Sequence, residues 1–204
     1  MMKLYSASAS PFARKVMVAA HELGLAGRIA VENVTTSPVA QNAALAAVNP
    51  LARLPTLLLE DGSALYDSRV ILDYLDSLTG GGILIPKAGP ERFAALRRQA
   101  LAEGLLDTLV SLRYETALRP EAVRWPELVA AQFDRMGRAL AAAESEAASL
   151  SVEKLGIAEI GFACLFGYLD LRFGDYDWRS RAPSLARWYQ AVAERPSLMA
   201  TTPR

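Results

Sequence analysis

One cysteine, Cys164, and one histidine, His21, are all that this 204-residue chain holds of either type. A single thiol forms no intrachain disulfide and supplies no cysteine-based zinc site. A single imidazole removes most other zinc sites and any Ser-His-Asp triad that does not use His21. No metal is expected. An excess of either charge is also missing, since Lys and Arg total 22 and Asp and Glu total 22. Zero net charge gives no broad positive field for nucleic acid or an anionic membrane. The longest strongly apolar run, Ile160 to Leu169, is too short to span a bilayer. The start, Met1-Met2-Lys3-Leu4-Tyr5, lacks a signal-peptide apolar region, so a cytoplasmic protein is expected. What remains is 52% hydrophobic and 22% charged residues, a composition that buries a globular core.

The chain changes character near residue 80. Before it, short strand-like and helix-like segments alternate. Lys3 to Ser6, Arg28 to Val34, Thr56 to Leu59 and Ala64 to Tyr66 read as strands, the last two joined by an Asp61-Gly62 turn. Helices are predicted over Pro11–Leu23, 38–47 and Asp67–Leu78. The order β-α-β-α-β-β-α suits a small mixed sheet covered by helices. Gly80-Gly81-Gly82, Pro86, Gly89 and Pro90 mark residues 80–90 as a linker. From Glu91 the chain is rich in strong helix formers and shows no strand. Helices are expected over Glu91–Leu118, Trp125–Ser149, Ile157–Phe173 and Ser184–Ala193. The expectation is an α/β domain over 1–79 and an all-α domain over 91–204.

Three segments can carry chemistry. Ser10-Pro11 suits the entry of the first helix, with Ser10 as N-cap and Pro11 as first helical residue. A capping serine accepts a backbone N–H and keeps its own O–H free to donate. The helix N-terminus beside it favours negative charge. A bound thiol, with an ordinary pKa near 8.5, fits such a place as its thiolate. Asn49-Pro50-Leu51-Ala52-Arg53-Leu54-Pro55-Thr56 leads into the third strand. Taken alone it is an ordinary trans strand start; a cis Leu54–Pro55 bond would turn the Leu54 backbone toward a peptide ligand. Asp67-Ser68 opens the third helix, either as a plain cap or as a site where Ser68 donates to a carboxylate and Asp67 meets an ammonium.

Together these segments resemble the glutathione S-transferase family. The resemblance spans essentially the whole chain and is nearest to bacterial serine-type members. It includes Ser10-Pro11-Phe12, Asn49-Pro50 with Leu54-Pro55-Thr56, and Leu65-Tyr66-Asp67-Ser68 running into Ile71-Leu72-Asp73-Tyr74-Leu75. It implies a thioredoxin-like N-terminal domain followed by an all-helical C-terminal domain. It also implies a cytoplasmic homodimeric transferase, used in detoxification, that joins the thiolate of glutathione to small, largely apolar electrophiles. By position, Ser10 would hydrogen-bond the sulfur, with Ser8 as competitor. Leu54 would pair through its backbone with the cysteinyl unit, Pro55 being the cis proline. Asp67 and Ser68 would hold the γ-glutamyl end, and Arg53 the glycyl carboxylate. Phe12 and Tyr114 are candidates to line the electrophile pocket. Glutathione is the only co-substrate implied.

One stretch departs from the family. Many members open the core helix of the second domain with Ser or Thr and an Asp three residues on, where this chain has Gly156-Ile157-Ala158-Glu159. Glycine can still cap and Glu159 can still reach back, so the change concerns folding. Cys164 sits in an apolar helix as a core residue, and His21 at a helix C-terminus. Two rival readings share the fold: a non-catalytic glutathione-binding or regulatory protein, and a specialised glutathione peroxidase, isomerase or dehalogenase.

Overall fold

The structure, a computed structural model, describes residues 1–203. Arg204, where the expected helical domain ends, lies outside the described residues. The first half runs β1 (Met2–Ser6), α1 (Pro11–Glu22), β2 (Ile29–Asn33), α2 (Ala43–Val48), β3 (Thr56–Leu58), β4 (Ala64–Leu65) and α3 (Ser68–Ser77). The order is the one the sequence predicts. The sheet order is β2-β1-β3-β4, with β1 and β2 parallel and the other pairs antiparallel. Leu4, Val16, Leu57, Ile71 and Leu75 are fully buried between the sheet and the helices α1 and α3.

α2 begins five residues later than expected. Pro38 reads as a first helical residue, but Ser37 and Ala40 close a tight turn on each other. The cap is Asn42, whose Oδ1 accepts the Leu45 N–H at 3.0 Å.

The second half holds α4 (Gly89–Arg113), α5 (Pro126–Ser145), α6 (Ile157–Arg172), α7 (Trp178–Arg181), α8 (Pro183–Ala193) and α9 (Pro196–Met199). No strand occurs there among the described residues. α4 stops at Arg113, short of the expected Leu118, and Tyr114–Leu118 winds into a wider π turn. Glu115 fixes that turn. It is 7% exposed and accepts from Nε of Arg119 at 2.7 Å and the Trp125 N–H at 2.9 Å. The short helices α7 and α9 have too few residues to show an apolar period in the sequence.

α6 is the centre of this half, buried without interruption from Ile157 to Leu169. That is why its sequence is apolar all round instead of striped. Gly161 lets α4 close on it, since a Cβ there would lie 3.1 Å from the Ala102 Cβ. At the α6 N-terminus the Glu159 half of the cap is present, accepting the Gly156 N–H at 3.1 Å. Glycine has no side chain with which to return the bond.

The glycine-rich stretch after α3 is not loose. Gly80, Gly81 and Gly82 take positive φ of 92°, 71° and 88°, a conformation that side chains disfavour. This turn delivers four backbone N–H groups, from Gly82, Ile83, Leu84 and Ile85, to the carboxylate of Asp76 at 2.9–3.3 Å. Asp76 is 2% exposed, and Leu84 and Ile85 are buried beside it.

Candidate glutathione site

The strand registers bring the three segments together. Tyr5 pairs with Thr56 between β1 and β3, and Leu57 with Leu65 between β3 and β4. Extending the two ladders sets Ala7 opposite Leu54, and Pro55 opposite Asp67. The turn before α1, the loop before β3 and the start of α3 therefore lie side by side along one end of the sheet. Residues far apart in the chain become neighbours because three consecutive strand ends share a level.

At the first of these, the Ser10 N–H donates to the Ala7 C=O at 2.8 Å, closing a turn. Ser10 Oγ accepts the Ala13 N–H at 3.2 Å, and Pro11 begins the helix. The cap is as predicted, and its geometry leaves the hydroxyl proton available. Ser8 is exposed in the same turn.

The loop before β3 is built around Asn49, 1% exposed. Its Nδ2 donates to the Arg53 C=O at 3.2 Å and to Thr56 Oγ1 at 2.9 Å, and its Oδ1 accepts the Leu51 N–H at 3.0 Å. Thr56 Oγ1 also donates to the Arg53 C=O at 2.9 Å. Leu54–Pro55 is cis. That corrects the trans reading of the segment taken alone and agrees with what the family resemblance implies. Leu54 is half-buried and Arg53 exposed.

Asp67 caps α3, accepting the Arg69 N–H at 2.9 Å. Its carboxylate is also paired with the Arg69 guanidinium at 2.8 Å. The sequence pointed to an ammonium as its partner; in the structure the guanidinium of a neighbour on the same helix turn takes that place. Partial burial works against ionisation of Asp67, but the hydrogen bonds from Arg69 prevail and hold the carboxyl below its usual value. Ser68 is 2% exposed at the first helical position.

The two aromatic candidates sit on different elements. Phe12, half-buried in the first turn of α1, has the Lys15 ammonium 5.4 Å from its ring centroid. Tyr114, 39% exposed, lies on the π turn after α4. Cys164 is fully buried, and burial pushes its thiol up to about 11, so it is inert at neutral pH. No group of three or more candidate metal ligands occurs among the described residues. No helix among them is long and apolar enough to cross a membrane.

Sequence reasoning missed Asn49 and Asp76 as organisers. Both sat in view, Asn49 before a proline and Asp76 before the glycine run. Polar residues whose partners are mainly loop backbone groups carry no periodic signal.

Residues 9–78 match the family model described as glutathione S-transferase, N-terminal domain, and residues 126–191 the one described as glutathione S-transferase, C-terminal domain. A glutathione transferase family member from Pseudomonas fluorescens Pf-5, solved with bound glutathione, is 45% identical over 100% of both chains, with a TM-score of 0.94. A second Pf-5 structure, with bound S-(propanoic acid)-glutathione, is 44% identical over 100% of both chains at a TM-score of 0.92. The "uncharacterized GST-like protein YibF" of Escherichia coli is 29% identical over 99% of this chain and 98% of its own.

Proposed function

This chain belongs to the glutathione S-transferase family, and from that premise we propose that it is a glutathione transferase acting on small, largely apolar electrophiles. The observation that carries the reading is the row formed by Ser10, cis-Pro55 and Asp67 at one end of the sheet. In it the Leu54 backbone pairs with the cysteinyl unit. Asp67 and Ser68 hold the γ-glutamyl end, and Arg53 meets the glycyl carboxylate. Binding then brings the ligand ammonium to a carboxylate that Arg69 already keeps ionised.

The sulfur lies at the N-terminus of α1, where the helix dipole favours an anion. The Ser10 hydroxyl donates to it while its oxygen still caps the helix. The thiolate attacks an electrophilic carbon bordered by Phe12 and Tyr114, with no covalent enzyme intermediate. A carbon–sulfur bond forms as that carbon's bond to its leaving group breaks and the group departs with the electron pair or, in an addition, as the π pair shifts onto the acceptor and takes a proton from water. The Pf-5 relative solved with bound S-(propanoic acid)-glutathione supports a site with room for a substituent on the glutathione sulfur, as conjugation requires. The cytoplasm, where glutathione keeps thiols reduced, supplies this co-substrate.

The active form is a homodimer in this reading. The α3–α4 face supports it. This face carries a cleft of about 370 Å³ bordered by Arg69, Val70, Asp73, Arg92 and Leu96, with Phe93, on the same helix as Arg92, at 71% exposure. Apolar groups and both signs of charge on one face suit a self-complementary two-fold contact.

Glutathione should raise the thermal stability of the protein. A native-state ligand adds about 2.7 kcal/mol at 100 times its Kd. Asp67→Ala should reduce that shift. No shift at tens of millimolar glutathione would refute the site.

A further inference from the structure

Arg14 stands in α1 one turn after Ser10, and its backbone N–H donates to the Ser10 C=O at 3.0 Å. It is 8% exposed. Its guanidinium turns away from solvent into the second half. Nη2 donates to the Leu198 C=O at 3.2 Å and Nε to Thr201 Oγ1 at 3.4 Å, while Nη1 is buried with no partner. Gly167 makes the space, since a Cβ there would collide with Nη1. Glycine in the middle of a buried helix costs stability, so the cradle is built at a penalty.

No acid neutralises this cation among the described residues. On α3, Asp67 is taken by Arg69 and Asp76 by the backbone of residues 82–85. On α4, Glu103 pairs with Lys15, and Asp107 is exposed. On α6, Glu159 accepts the Gly156 and Ser151 N–H groups, Asp170 pairs with Arg179, and Cys164 is a neutral thiol at physiological pH. The phenol facing it, Tyr189 on α8, is held neutral by burial. Glu22, on α1 itself, is engaged by Arg195, and His21 is exposed. Lys15 and Glu103 cancel, so among the described residues Arg14 leaves one uncompensated positive charge in the buried part of α1.

An unpaired buried charge is destabilising unless something anionic answers it. We propose that Arg14 is an electrostatic positioning residue whose carboxylate-free guanidinium, one turn from Ser10, helps hold the sulfur of bound glutathione as the thiolate. It touches neither substrate nor sulfur. It adds fixed positive potential, in a poorly screened interior, to that of the helix N-terminus. The proposal rests on the glutathione site argued above.

The test is the pH titration of bound glutathione by its thiolate ultraviolet absorbance. Wild type, Arg14→Gln, Arg14→Lys and Thr201→Glu are compared, with affinity measured by calorimetry. Thr201→Glu keeps Arg14 and sets a carboxylate beside Nε, so it neutralises the charge without opening a hole. Its readout stands even where Arg14→Gln does not fold. Arg14→Gln and Thr201→Glu should each raise the midpoint by about one unit, tenfold less thiolate at a pH below it, with glutathione Kd changed less than about threefold. Arg14→Lys should keep most of the wild-type value. Equal midpoints in wild type and Thr201→Glu, with glutathione bound, would overturn the proposal and leave Arg14 a structural tie. Absence of glutathione binding by the wild type would instead overturn the site itself.

Discussion

Lys15 on α1 and Glu103 on α4 form a buried ion pair across the seam between the sheet-bearing half and the helical half, their side chains 1% and 11% exposed. The same ammonium lies over the Phe12 ring. The pair therefore fixes the first turn of α1, and with it the Ser10 cap, against the helical half.

Breaking such a pair from one side leaves a buried charge unanswered. Lys15→Met or Glu103→Leu alone should cost about 3–5 kcal/mol, and the double variant should recover most of that loss. Denaturant unfolding of the three variants checks it. Additive losses in the double variant would show that the two residues act independently.

Acid stability should depend on Glu22, which ties the end of α1 to α9. Partial burial disfavours its ionised form, but bonds from Arg195 and Ser197 outweigh that and lower its pKa in the folded protein. A carboxyl lowered on folding contributes stability in full above its unfolded value, about 4.3, and loses it as pH falls through the lower folded value. Glu22→Gln should flatten the melting temperature against pH in that range and lower it at pH 7. A variant as acid-sensitive as the wild type would assign the acid limb to other carboxylates.

Assembly is testable at Phe93. Sedimentation should give about 44 kDa, twice the 22.1 kDa chain. Phe93→Asp on the α3–α4 face should shift the equilibrium to monomer without lowering helical content. A dimer unchanged by that substitution would move the interface elsewhere.

Much of this was legible in the sequence. Apolar spacing in α1 and α3, the Asp61-Gly62 turn and the glycine run located the elements of the first half, because local chemistry alone decides them. Ser10 and Asp67 were legible as caps for the same reason. The cis state of Leu54–Pro55 was not, because tertiary context sets it. Nor was the partner of Asp67, since Arg69 reaches it through side-chain geometry that spacing does not reveal. The end of α4 was misjudged because Tyr114–Leu118 has helix-forming residues; Glu115 instead binds the backbone of Trp125, ten residues on. Arg14, by contrast, carries no sign of its role in the sequence, where it is one basic residue beside another in the first helix. Its bonds to Leu198 and Thr201 and the space at Gly167 are tertiary features, and they are what turn it inward.

The most direct measurement is the pH titration of glutathione bound to wild type, Ser10→Ala and Ser8→Ala. In the wild type the bound thiol should ionise below its ordinary value near 8.5. Ser10→Ala should raise the midpoint by about one to two units, the equivalent of one charge-assisted hydrogen bond, and cut turnover more than affinity. It should also lose about 1 kcal/mol of stability with the cap, so all readings belong well below its melting temperature. Ser8→Ala should titrate as the wild type does. A midpoint unchanged in Ser10→Ala, or one raised only in Ser8→Ala, would contradict the account.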